Sequence, residues 1–172
     1  MPHLTDPYFG RSLVFICEHD EDGAMGLIVN KSFDDESVKE LFPTLIIDDE
    51  AIKEVISPMY FGGPVSLERG FILHTPDYLT DETMQVDEEF SLTSNSAVIE
   101  AIRSGDGPRQ YKMMLGYAGW AAGQLEREIE NGDWLFQDVT PDFIFNGNES
   151  EKWLSATHSF GIEIAPGSGG LA

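Results

Sequence analysis

Cys17 and His19 stand two residues apart in the run Phe15-Ile16-Cys17-Glu18-His19, and on an extended strand that spacing turns both side chains to one side. A thiolate and the imidazole that activates it need such an approach. Their neighbours oppose the chemistry. Glu18, Asp20, Glu21 and Asp22 deepen the local negative potential, whereas reactive cysteines sit in electropositive settings that stabilise the thiolate. Cys17 is therefore read as a core residue closing an apolar run. The same acids suggest a calcium loop, because Glu18, Asp20, Asp22 and Gly23 match its first, third, fifth and sixth positions. The twelfth position decides: it needs a bidentate carboxylate and holds Val29. No metal site is expected.

Arg69 and His74 flank the run Gly70-Phe71-Ile72-Leu73, one cationic and one titratable group at opposite ends of a strand. His74 is expected to bond a nearby backbone or carboxylate group rather than serve as catalyst or ligand. None of the four histidines forms a His-Glu-x-x-His motif. The stretch from Gly116 through Gly119 and Gly123 to Gln124 reads as a glycine turn between a strand and a helix, where amide donors can hold an anion. It contains neither a dinucleotide nor a P-loop fingerprint, and Glu126, Glu128 and Glu130 would repel phosphate. Close strand-to-helix packing is the preferred reason for these glycines. No Gly-x-Ser-x-Gly elbow occurs, and no catalytic residue is assigned. The candidate ligand- or partner-binding residues are Asn30, Arg69, His74, Gly119 and Gln124, polar or glycine positions that follow apolar strands.

These residues need elements to hold them. Ser12–Cys17 and Met25–Val29 predict a buried hairpin around Asp22-Gly23. Short helices are expected over Asp35–Phe42 and Glu50–Ile56, and strands at Met59–Phe61 and Gly70–His74 on either side of a turn at Gly62-Gly63-Pro64-Val65. An acidic loop should run from Thr75 to about Glu89. A weak strand follows at Phe90–Thr93, then a helix over Ser94–Arg103 ended by Gly105-Asp106-Gly107-Pro108. Tyr111–Tyr117 predicts a strand and Ala121–Glu130 a helix, with Gly132–Phe136 returning toward the core. Pro141 suits the first turn of a helix through Phe145, and Glu149–Thr157 predicts a last helix anchored by Trp153 and Leu154.

The 172 residues suit one core, and 41% hydrophobic content with 11% aromatics is too apolar for a disordered chain. We expect one α+β domain over residues 1–164 and a flexible tail over 165–172. Ten basic residues face 31 acidic ones, a formal net charge of -21, so the surface repels nucleic acid and anionic membrane alike. The acid is read first as a solubilising coat, and second as a match for a basic protein partner or a mimic of nucleic-acid charge. The single cysteine excludes an intrachain disulfide and fits a reducing cytoplasm. No window reaches the length of a membrane span, and Met1–Gly10 has no secretory character.

Three blocks carry a family resemblance. The first joins Asp6-Pro7-Tyr8-Phe9, Ser12–His19 and Gly23–Lys31; the second joins Gly62-Gly63-Pro64-Val65 and Arg69–His74. The third joins Gly116–Trp120, Gly123-Gln124-Leu125-Glu126, Glu128-Ile129 and Trp134-Leu135. Together they resemble the bacterial YqgE/AlgH family, in order and over nearly the whole chain. The resemblance implies a bifurcated β-sheet curled into a partial barrel with flanking short helices, in a cytoplasmic bacterial protein. It implies no catalytic residues, and only a proposed regulatory link to exopolysaccharide production. Family members usually begin with a further apolar segment, so a first strand is expected to be missing or trimmed here, and the ending Pro166–Ala172 follows the family only loosely. The leading expectation is a nonenzymatic binding or regulatory protein acting through a protein partner, without cofactor. The alternative is an enzyme or sensor binding a small anionic metabolite near Asn30, Arg69 and His74.

Overall fold

The computed structural model describes residues 6–34, 36, 40 and 58–159. The helices expected over Asp35–Phe42 and Glu50–Ile56 and the tail from residue 165 lie outside those residues. Within them the chain runs β1 (Val14–Asp20), β2 (Gly23–Ile28), β3 (Met59–Phe61), β4 (Val65–His74), β5 (Thr83–Gln85) and β6 (Ser91–Thr93). Then come α1 (Ala97–Ser104), β7 (Tyr111–Ala121), α2 (Gln124–Glu130), α3 (Pro141–Phe145) and α4 (Glu149–Ser159).

β7 organises the sheet. Its first half pairs antiparallel with β4 and parallel with β3, the latter from Met59 opposite Met113 to Phe61 opposite Leu115. Its second half, Ala118–Ala121, pairs antiparallel with β2. One long strand therefore serves two partners along one edge, and the sheet forks where they separate. The order β1-β2-β7-β4-β6-β5, with β3 set beside β7, curls into a half-barrel. Two glycines make the fork sterically feasible. Gly63, at φ 155°, would place a Cβ 2.1 Å from the Tyr117 carbonyl carbon, and Gly116, at φ 75°, would place one 2.3 Å from the Gly63 oxygen. Only backbone without side chains passes that closely.

The hairpin forms where its apolar runs and Asp22-Gly23 place it, but its strands continue to Asp20 and from Gly23, so the turn is tight. A register shift between Ile16 and Glu18 places a bulge at Cys17, and a bulge breaks the alternation of faces. Cys17 is buried while His19 is exposed, so the expected same-side pair does not form.

Several expectations are corrected. The expected strand does not end at Tyr117: Ala118–Trp120, read as part of a glycine turn, continue β7, which extends to Ala121. The acidic loop after Thr75 contains β5, paired with β6. Leu135 and Phe136 are 45% and 54% exposed instead of returning to the core, and Leu154 is 41% exposed, leaving Lys152, Trp153, Ala156 and Thr157 as the buried side of α4. α3 starts as expected, with Pro141 in its first turn and the Thr140 hydroxyl accepting from the Phe143 amide at 3.3 Å.

The main core lies on one face of the sheet. Phe15, Leu27, Tyr60, Phe71, Phe90 and Met114 meet there with Ile144 of α3. Met59, Ile72 and Met113, on the other face, are covered by Val98 of α1, while Ala118 and Trp120 meet Leu125 of α2.

Candidate functional site

Each sequence-selected residue has a definite place. Asn30 ties the chain before β1 to the end of β2, its Oδ1 accepting from the Leu13 amide at 2.8 Å and its Nδ2 donating to the Arg11 carbonyl at 2.9 Å. Arg69 is exposed on β4, its guanidinium 5.2 Å from the centre of the Phe71 ring. His74 is fully buried at the other end of β4, between the Thr75 carbonyl at Nδ1, 2.7 Å, and the Thr93 hydroxyl at Nε2, 2.8 Å. Burial lowers its pKa, against the opposing influences of the Thr75 carbonyl and Asp77. Gly119 is exposed on β7, and Gln124 opens α2, donating to Glu128 at 2.9 Å. Only Gly119 and Gln124 come together, at one small cavity; Asn30, Arg69 and His74 line neither of the two cavities described below.

Cys17 carries no activated thiol. Burial and then Glu18 push its pKa up to about 12, so it stays protonated at neutral pH. His19 instead meets Glu126 of α2 at 2.5 Å on the surface.

Reasoning from sequence missed a buried charge cluster. Lys112 on β7 and Lys152 on α4 are each 4% exposed, and both reach Glu149, at 2.7 Å and 3.0 Å. The Tyr60 hydroxyl donates to the same carboxylate at 3.0 Å. Each ammonium also donates to a backbone oxygen, Lys112 to Val29 at 2.8 Å and Lys152 to Ile144 at 3.0 Å. Burial lowers Lys112 to about 8, against the pull of Glu149; burial and then Glu149 push Tyr60 above the ordinary phenol range. With each ammonium bonded to one backbone oxygen and to Glu149, the cluster works as a clamp holding α3 and α4 to the sheet. The signal in the sequence was Lys112 inside the apolar run Tyr111–Leu115, since a lysine in a core strand needs a partner.

Beside the clamp lies a cavity of about 450 Å³. Its walls come from the start of β1, the segment from Trp134 to Val139, and α3 and α4, with Phe15, Trp120, Leu125, Ile144 and Trp153 among the lining residues. Among the described residues its charged lining is acidic, Asp87, Glu89 and Asp138, with no Lys, Arg or His. Exposed Leu135 and Phe136 stand in the same lining. The Trp153 indole nitrogen is buried without a hydrogen-bond partner among the described residues, a costly state for a donor.

A second cavity, of about 230 Å³, shares Trp120 and Trp134 with the first. Asp6, Phe9, Gly119, Gln124, Glu128 and Asp133 complete its lining. Glu128 accepts from both indoles at 2.8 Å. This acidic lining does not favour an anion, the less preferred reading of the Gly119 region. Among the described residues no cluster of three or more His, Cys, Asp or Glu is placed to hold a metal ion, and no helix is long and apolar enough to cross a membrane.

Comparison with known proteins agrees with this architecture. The sequence model of a family described as DUF179, AlgH-like, matches residues 1–165. Relatives include a UPF0301 protein of Ruegeria pomeroyi, 42% identical over 164 residues covering 95% of this chain and 89% of the relative. Another, from a Jannaschia species, is 40% identical over 165 residues, covering 95% and 85%. The solution structure of the AlgH protein from Pseudomonas aeruginosa superposes with a TM-score of 0.74 at 34% identity, covering 95% of this chain and 86% of that one. A crystal structure from Corynebacterium diphtheriae shares the fold, with a TM-score of 0.71 at 23% identity, covering 97% and 84%. The forked, curled sheet and the three ordered motif blocks thus have one explanation: the chain belongs to the AlgH-like family, the UPF0301 proteins.

Proposed function

We propose that this chain is a nonenzymatic binding protein with a regulatory role, which takes an apolar segment of a basic protein partner into the 450 Å³ cavity. The observation that carries the reading is the composition of that cavity among the described residues: aromatic and aliphatic walls, acid as the charged lining, and Leu135 and Phe136 exposed beside them. Apolar pockets with a few polar groups are where proteins take ligands. A net charge of -21 selects a cationic partner, speeds its encounter and turns polyanions away. A partner carbonyl reaching the Trp153 indole would also satisfy its unpaired donor. The lone cysteine, buried and protonated, suits work in the bacterial cytoplasm.

Calorimetric titration with three short synthetic peptides tests this reading. One carries Leu, Phe and Arg at helical spacing, the second has Glu in place of Arg, and the third Ala in place of Leu and Phe. Only the first should bind, more weakly as salt rises. Ala156→Phe, which fills the cavity from α4, and Phe136→Ser, at its exposed edge, should each weaken binding at least tenfold, about 1.4 kcal/mol. Equal binding of the acidic peptide, or indifference to both substitutions, overturns the proposal.

A further inference from the structure

The smaller cavity differs from its neighbour in chemistry while sharing its wall. Three aromatic rings and three carboxylates line it: Phe9, Trp120 and Trp134 with Asp6, Glu128 and Asp133. The rings are braced edge-to-face, Phe9 against Trp134 and Trp120 against Trp134, each pair at 5.9 Å. The acids are held by neutral groups. Glu128 accepts from the two indole nitrogens and from the Gln124 amide, and Asp6 accepts from the Tyr8 and Phe9 amides at 2.8 and 3.1 Å. Among the described residues Asp133 receives no side-chain hydrogen bond and no Lys, Arg or His lines the cavity. Aromatic walls with uncompensated carboxylates suit a delocalised, weakly hydrated cation, which stacks on rings and offers several donors at once.

We infer that this cavity receives the guanidinium of an arginine side chain. The inference deepens the proposed function and rests on it for the identity of the partner: Trp120 and Trp134 divide the two cavities, so one docked segment would place an apolar residue on one side and an arginine on the other. Asp133 supplies the accepting carboxylate, and the indoles, fixed through Glu128, supply the stacking surface. Orienting the rings is the role this assigns to Glu128, whose oxygens are already engaged.

Two isosteric probes test the site without any peptide. N-acetyl-L-arginine amide, titrated into the full chain, should shift the indole N–H resonances of Trp120 and Trp134 and leave that of Trp153 in place. N-acetyl-L-citrulline amide, the neutral counterpart, should bind at least tenfold more weakly. Asp133→Asn should weaken the arginine probe at least threefold, while Phe136→Ser, which tests the larger cavity, should leave it unchanged. Equal binding of the citrulline probe overturns the inference on the wild-type chain alone. Shifts spread over the acidic surface, or indifference to Asp133→Asn, overturn it too. Arginine binding with failed peptide binding would instead count against the larger cavity only.

Discussion

Replacing Glu149 by Gln removes one charge from the clamp while preserving its shape, and the consequence follows from what remains. Lys112 and Lys152, each 4% exposed, would keep only neutral partners, their backbone oxygens and an amide oxygen, and no countercharge. Breaking a buried ion pair from one side costs about 3–5 kcal/mol, because an uncompensated charge stays in the interior. Glu149 retains 24% exposure, which argues for the lower end. At a urea slope of about 2 kcal/mol/M, a loss of about 3 kcal/mol lowers the unfolding midpoint by about 1.5 M. The penalty should depend on pH. Lys112 has a folded pKa of about 8 against 10.5 for a solvated lysine. Between those values the unfolded chain binds more protons than the folded one, so this lysine withholds stability below pH 8 and returns it as pH rises through the window. With Glu149 gone the lysine is harder still to protonate in the fold, so the cost of Glu149→Gln should shrink between pH 7 and 9.5. Urea unfolding followed by circular dichroism measures both quantities. A loss below about 1 kcal/mol, or one that does not change with pH, would show that the clamp behaves as a solvated surface network and refute the argument.

Gly63→Ala should be more damaging, because its Cβ would fall 2.1 Å from the Tyr117 backbone at a positive φ; we expect a loss of about 3 kcal/mol or more, or failure to accumulate folded protein, by thermal unfolding. His74 has a lowered pKa, so below 6.5 the unfolded chain takes up a proton that the buried ring resists, and stability falls with falling pH. His74→Gln should flatten that acid slope in urea titrations between pH 7 and 5, whereas an unchanged slope would assign it to other groups. Glu128→Ala should leave the Trp120 and Trp134 indole donors unpaired and cost about 2 kcal/mol, with altered tryptophan fluorescence; unchanged emission would contradict the bonding described.

How much could be read from the residues depended on the range of the interactions. The β1–β2 hairpin was legible because its signals, two apolar runs and Asp22-Gly23, lie within a few residues of one another. Gly116 misled because glycine marks both turns and close backbone approach; only the position of Gly63 across the fork distinguishes them. β5 was hidden by the acids around Thr83–Gln85, a segment that pairs with β6 across the intervening turn. Leu154 was chosen as an anchor on hydrophobicity alone, whereas the contacts of α4 turn Lys152, Trp153, Ala156 and Thr157 inward. The clamp joins Tyr60, Lys112 and Glu149 across long stretches of chain, and nothing local pairs them. Both cavities arise the same way: Trp134, distant from Phe9 in sequence, meets it at 5.9 Å.

Intermolecular nuclear Overhauser effects between the Leu/Phe/Arg peptide and the isotope-labelled chain test the central claim most directly. The account predicts contacts from the peptide's leucine and phenylalanine protons to Leu125, Val139 and Ile144 inside the large cavity. Contacts confined to the outer surface, with those three residues silent at saturating peptide, would contradict it.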